Sequence, residues 1–195
     1  MSWVVSSASA VQPITLSEAK LYLKVDTSAD DDLITHLIAA SKSAAENYLD
    51  RYLYNTTITE YFDGFPVYTT RNTGAQLLLS VGGVSSVTSI TYTDSDGNTG
   101  TTFSSSNYVV DTNDNGMTRI GLASGASWPG TYSEIKSVTV TYVAGYGATA
   151  GTEPASIKQA CYLMLSAWYH VREDSVRRMP TASEYLLNQE RLNRY

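Results

Sequence analysis

The stretch VTVTYVAGYGATAGTEP, Val138–Pro154, decides how the rest of the chain is read. Its first half alternates apolar residues with Thr and Tyr, the period of a half-buried strand, and its second half strings Gly145, Gly147 and Gly151 toward a proline. A glycine-rich loop between a strand and a helix can cradle a phosphate. Here the spacing G-x-G-x-x-x-G misses the dinucleotide fingerprint by one residue, and the lysine and Ser/Thr of a P-loop are absent. The fingerprint also belongs to the first strand of a βαβ unit, whereas this strand closes a series of strands joined by short turns. Glu153 and Pro154 stand where backbone amides would have to meet a phosphate. The stretch is expected to be a chain reversal, the last strand of a β segment handing over to a helix.

Upstream, the period is 2 back to about residue 57: TTITEYF, AQLLLSV, VTSITYT, NYVVD, MTRIGLA and IKSVTVTYV read as strands. DSDGN at 94–98 and NDNG at 113–116 supply the positive-φ residues that tight hairpins need. Strands in direct succession imply an antiparallel sheet or small sandwich. Before them the period is helical. ITLSEAKLYL sets Thr15 and Glu18 at capping-box spacing, with a short helix ending near Val25. A second helix is expected from a Ser28 cap, with Asp30, Asp31 and Asp32 in its first turn, where the helix dipole favours anions. Its stripe runs Leu33, Leu37, Ala40, Ala44, Tyr48, Tyr52, widened by Ile34, Ile38, Ala45 and Leu49. Downstream, Pro154 suits the first turn of a helix. Ile157, Cys161, Met164, Trp168 and Val171 mark the apolar face of a buried helix of about 18 residues at 3.6-residue periodicity. Pro180 interrupts it, and ASEYLLNQERLNRY reads as a last, more polar helix.

The fold class is α+β: a helical bundle formed by N- and C-terminal helices and interrupted by an antiparallel β insert, a small sheet or sandwich. The expected segments are 1–56 (N-terminal helical part), 57–150 (β insert), 151–175 (core helix) and 176–195 (C-terminal arm). The sequence has 195 residues, enough for a core without covalent staples. A net charge of −6 argues against a dedicated nucleic-acid binder, which needs a basic face for phosphates. A single cysteine excludes an internal disulfide, and no apolar run reaches the ~20 residues of a membrane span. MSWVVSSASAVQP lacks a basic start and an apolar core, so no signal peptide and no membrane partner are expected.

The catalytic inventory is thin. His36 and His170 lie in helices and, with one cysteine, cannot close a zinc site without several carboxylates. Ser166 and Asp174 flank His170 along a helix, without the strained turn and oxyanion donors a nucleophile requires. Asp94, Asp96 and Asn98 alternate like a calcium loop, but the glycine is at the fourth place and Ser105 holds the twelfth. Trp128, before Pro129, reads as a plug at the bottom of the β insert, or else as a platform for a ligand. No enzyme activity, cofactor or metal is expected. The residues alone read as a non-enzymatic interaction protein, and one form of it is a β-sandwich binding module for carbohydrate or protein, with Trp128 and surface tyrosines as its platform.

The ordered set ITLSEAKLYLKVD…DDDLITHLIAASKSAAENYL, then WPG and VTVTYVAGYG, then EPASIKQACYLMLSAWYHVRED and YLLNQERLNRY, resembles the head–tail connector (adaptor) proteins of long-tailed bacteriophages and related phage-like particles. The likeness covers roughly residues 14–195. It implies a virion protein at the head–tail interface, assembled in the host bacterial cytoplasm. Its partners would be the portal protein, a tail-side connector or tail terminator protein, and further copies of itself in a twelvefold ring. Double-stranded DNA would pass through without sequence-specific binding. Residues 176–195 would be the portal-facing arm, with Met179, Pro180, Tyr185, Leu186, Leu187, Leu192 and Tyr195 as anchors. The β insert would face outward or toward the next tail-side ring.

Overall fold

The computed structural model describes residues 2–66, 75–112, 118–171 and 179–191. They divide into two compact units: a β unit of the residues up to Ala8 together with Asn55–Gly145, and a helical unit of Ser9–Tyr54 and the described residues from Tyr146 on.

The β unit holds a five-stranded antiparallel sheet in the order β1-β2-β8-β4-β5. These strands are β1 (Ser2–Ser7), β2 (Thr56–Phe62), β8 (Val138–Ala144), β4 (Val84–Tyr92) and β5 (Thr101–Thr102). A smaller sheet, β3-β7-β6, is built from β3 (Leu77–Leu78), β7 (Arg119–Leu122) and β6 (Tyr108–Asp111). Period 2 is realised closely in β2 and β8: Ile58, Glu60, Phe62, Val138, Val140, Tyr142 and Ala144 are buried, while the residues between them are half-buried. The two strands run in register from Thr56↔Ala144 to Phe62↔Val138.

Glu60 breaks that apolar pattern and is fully buried. Its carboxylate accepts from the Tyr142 hydroxyl at 2.9 Å, from the Ser80 amide at 3.0 Å, and from the Ser80 hydroxyl. Three donors on one carboxylate replace the water it has lost, which is the condition for a buried charge to be tolerable. Phe65, Phe103 and Trp128 close the same unit. Trp128 stacks on Phe65 with ring centres 4.8 Å apart and donates its Nε1–H to the Ala75 carbonyl at 3.1 Å. Of its two readings, the plug is the one that matches this packing.

The helical unit contains α1 (Leu16–Leu23), α2 (Asp31–Leu49), α3 (Ala155–His170) and α4 (Thr181–Asn188). One apolar cluster joins all four, through Ala19, Leu23, Ile34, Ile38, Ala45, Leu49, Ile157, Cys161, Met164 and Leu187 among others. The capping box at α1 forms as expected: Glu18 N–H donates to Thr15 Oγ1 at 3.3 Å, and Thr15 N–H donates to Glu18 Oε2 at 2.8 Å. The expected reversal at 145–154 forms too, with Pro154 as the N-cap of α3. Within it Gly147 is required, because a Cβ there would lie 2.7 Å from the Thr152 side chain.

Several expectations are corrected. Segment 1–56, expected as the N-terminal helical part, also contains a strand: Ser2–Ser7 form edge strand β1, paired with β2. SWVVSS shows no period-2 pattern because all six residues are exposed; backbone pairing holds it, with a hydrogen bond between the Ser6 and Thr59 hydroxyls at 2.6 Å. AQLLLSV alternates in burial, yet only Leu77 and Leu78 count as strand. The cap of α2 is Asp30, without a side-chain cap bond, and not Ser28. The buried line of α2 is Ile34, Ile38, Ser41, Ala45 and Leu49; Leu33, Leu37, Ala44 and Tyr48 only flank it, and Ala40 is exposed. The apolar arc was broad enough to hide where its centre lay, because Ser41 occupies that centre and satisfies its hydroxyl on the Ile38 carbonyl at 2.8 Å. Helix α3 is 16 residues long, and Val171 falls just beyond it, 46% exposed. The DSDGN turn forms, with Gly97 at φ 86° and the Asp94 carboxylate accepting from Asn98 N–H at 2.9 Å and Asp96 N–H at 3.0 Å. That local use of Asp94 gives it a turn-forming role and holds its carboxyl below the usual range, through Asn98 first. The NDNG turn at 113–116 lies outside the described residues.

Candidate functional site

The expected arm residues gather at α4, so the site begins there. Pro180 caps the helix and its carbonyl accepts from Glu184 N–H at 3.0 Å. Eight residues are too few for a helix to persist alone in water, so α4 depends on what it packs against. Within the helical unit it lies along α3: Leu187 is fully buried, and Ser183 donates its hydroxyl to the Ala160 carbonyl at 3.2 Å. Met179 and Leu186 pack partly against the same cluster. Tyr48 of α2 donates to Asn188 Oδ1 at 3.3 Å, and the Arg191 guanidinium lies 5.3 Å from the Tyr48 ring centre.

The named anchors therefore separate by environment. Leu187 is spent inside the chain, Met179, Pro180 and Leu186 are half-buried, and Tyr185 stands out at 70% exposure. Leu192 and Tyr195 lie outside the described residues. Tyr185 shares the outward face of α4 with Thr181, Ala182 and Asn188. It is the one described anchor that offers a large apolar face to a partner without any repacking.

A second exposed apolar group was not singled out from sequence. Leu21 and Tyr22 on α1 are 82% and 41% exposed, and Tyr22 leans on Tyr162 of α3 with ring centres 4.7 Å apart. Leu21 lies two residues from both Ala19 and Leu23, the buried residues of α1, so the helical period sets it on the side of the helix away from the core. Lys158 fixes α1 to α3 by donating to Glu18 Oε1 at 2.8 Å. That bond, with the Thr15 contacts, holds the Glu18 carboxyl down at about 2.

The groups with chemical potential do not converge. Cys161 is buried, its thiol pushed up to about 12 mainly by burial, and its Sγ faces the Ser41 carbonyl at 3.9 Å. His36 and His170 are both exposed. Glu46 is raised from its ordinary value by burial, opposed by the Leu53 amide that donates to it at 3.0 Å. Among the described residues no group of three or more His, Cys, Asp or Glu could hold a metal ion, and no helix is long and apolar enough to cross a membrane.

The chain is α+β, and its described candidate residues present no convergent catalytic or metal-binding group. Residues 12–183 match the family of head completion proteins, so the class is a structural, head–tail connector protein of phage-type virions. The chain belongs to the head completion protein family. Its fold is shared by solved chains from "Virion of native gene transfer agent (GTA) particle" and "Neck of empty GTA particle computed with C6 symmetry", each with TM-score 0.78 and 21% identity over 100% of this chain and 97% of the other. A third, from "Neck of native GTA particle computed with C12 symmetry", has TM-score 0.75 and 20% identity over the same shares. Comparison with curated proteins gave no match.

Proposed function

We propose that this chain is one subunit of a ring that docks beneath the portal and links capsid to tail, with double-stranded DNA passing through its centre. The observation that carries the reading is the match to the head completion family over 12–183. It is supported by the fold shared end to end with chains of a particle neck solved with C12 symmetry. The ring is a dodecamer matched to the portal, resident at the head–tail interface, and assembled in the bacterial cytoplasm. Its tail-side partner is a further connector or the tail terminator. The helical unit acts as a bundle that builds the ring. A net charge of −6 suits a conduit, since a basic channel would hold DNA by releasing its counterions.

Portal docking falls to residues 176–195, with Tyr185 as the exposed anchor and Met179, Pro180, Leu186, Leu187, Leu192 and Tyr195 as the apolar residues around it. Tyr is a favourable anchor because its large face is buried at small entropic cost. Two experiments test the two parts. Light scattering with negative-stain imaging, with and without the portal protein of the same particle, is expected to show rings of about a dozen subunits, the number taken from twelvefold matching. Monomers under both conditions would overturn the ring. Tyr185→Ser is expected to weaken portal binding by tenfold or more, as loss of an interface anchor does. Unchanged binding would remove α4 from the docking surface.

A further inference from the structure

The five-stranded sheet of the β unit ends in two open edges that match. On one side, β1 pairs only with β2 among the described residues, so the outer backbone edge of Ser2–Ser7 carries no strand. On the other side, β5 covers β4 only at Thr91 and Tyr92, and Phe103 N–H reaches the Ile90 carbonyl. Among the described residues that leaves Val84–Ser89 with no outer strand, a stretch the same length as β1. An open edge is a template for another strand, and proteins that must keep edges apart place charges or prolines on them. SWVVSS and VSSVTS contain neither.

Side chains point the same way. Trp3 and Val5 stand opposite Glu60 and Ile58, on the sheet face that is buried elsewhere, yet they are 45% and 41% exposed. The core face of the sheet thus runs out past its cover at β1. Polarity also fits. Successive neighbours β1, β2, β8 and β4 are all antiparallel, so β1 and β4 run in opposite directions. A second copy set alongside in the same orientation brings its β4 antiparallel to β1, and the alternation continues.

We propose that β1 of one copy pairs with the Val84–Ser89 edge of β4 in the adjacent copy, so that the sheet runs on from subunit to subunit; the identity of that neighbour rests on the ring reading above. Two different edges make a heterologous contact, which propagates into a ring or a filament and does not stop at a pair. The register shifts between Val5 and Ser7 and within β4 restrict pairing to short runs. Each hydrogen bond in such a run adds little net free energy, so the contact is weak singly and gains from closure.

The test uses the full chain carrying Val4→Cys together with Ser86→Cys or Ser89→Cys. These positions share one sheet face: Val4 faces Thr59, Thr59 and Ser89 both face Thr141, and Ser86 faces Val143. Native Cys161 is buried, with its thiol at about 12, and does not compete. Treatment with a short bismaleimide, with and without the portal protein of the same particle, is read on denaturing gels alongside negative-stain images. Rings with a covalent ladder are the expected result. Rings without a ladder overturn the edge pairing and leave the ring reading standing. A ladder without rings sustains the edge pairing and overturns the ring, and neither product overturns both. A covalent dimer from Val4→Cys alone would reveal β1-to-β1 pairing and also overturn the proposal.

Discussion

Leu187→Ala separates two things that α4 does, holding the helical core together and offering Tyr185 outward. Leu187 is fully buried, and Ala there removes its packing and leaves a cavity, a change that costs about 2–5 kcal/mol in a rigid surround. This surround is not rigid. Helix α4 has eight residues and is held by Leu187, by partial burial of Leu186 and Met179, and by the Ser183–Ala160 hydrogen bond. The loss cannot exceed the free energy that docks α4, because past that point the helix simply lets go. We expect about 3 kcal/mol, enough to raise the opening equilibrium of α4 roughly a hundredfold. Hydrogen–deuterium exchange on peptides spanning 179–190 and 155–170 reads this directly. The α4 peptide should lose its protection while the α3 peptide keeps most of its own, since opening is local. Equal loss in both peptides would mean that α4 and α3 unfold as one unit. Unchanged exchange at α4 would refute the argument, because the burial of Leu187 would then not be what holds the helix.

Contacts elsewhere in the two units set three more expected outcomes. Tyr142→Phe removes one of three donors from the buried Glu60 carboxylate and should destabilise the β unit by about 1.5–3 kcal/mol in urea titrations followed by tryptophan fluorescence; a change below about 0.5 kcal/mol, the range of inert surface substitutions, would show that water replaces the hydroxyl. Gly147→Ala places a Cβ 2.7 Å from Thr152 and should lower the melting temperature of the helical unit, by overpacking worth about 1–3 kcal/mol; an unchanged melt would mean that Thr152 swings aside freely. Glu18 has its carboxyl lowered from 4.5 to about 2 by Lys158 and Thr15, so its contribution is complete above pH 4.5 and lost as pH falls toward 2. Glu18→Gln should flatten the stability profile in that window, and a parallel profile would exclude Glu18 as a source of acid sensitivity.

What the sequence revealed and what it concealed divide along a physical line. The capping box at Thr15 and Glu18, the alternation of β2 and β8, and the turn at Asp94–Asn98 are local, and each was legible because neighbouring residues define it. Edge strand β1 was not, because periodicity records burial and all six of its residues are exposed. The centre of the α2 stripe was missed for a related reason: Ser41 is polar by type but buried by position, its hydroxyl satisfied by its own helix. Glu60 reads as a polar break in TTITEYF until Ser80 and Tyr142, distant in sequence, supply the donors that let it sit inside. Of the arm anchors, the sequence could name the apolar residues of α4 but could not say which one pointed outward, since that depends on how the helix lies on α3.

The same line bears on how such a protein assembles. Backbone edges and single exposed aromatics are what intrachain patterning cannot explain, and they are what a neighbour can use. Trp3, Val4 and Val5 on the edge of one unit and Leu21, Tyr22 and Tyr185 on the surface of the other are apolar without being covered. None is enough by itself to hold a partner, because isolated exposed apolar residues are common on any surface. Repetition changes that. In a ring each weak contact recurs at every subunit, and closing the ring makes the last contact intramolecular, so its effective concentration rises without any new bond. A chain that presents several modest surfaces in place of one large one would stay dispersed while dilute and assemble where a template gathers its copies.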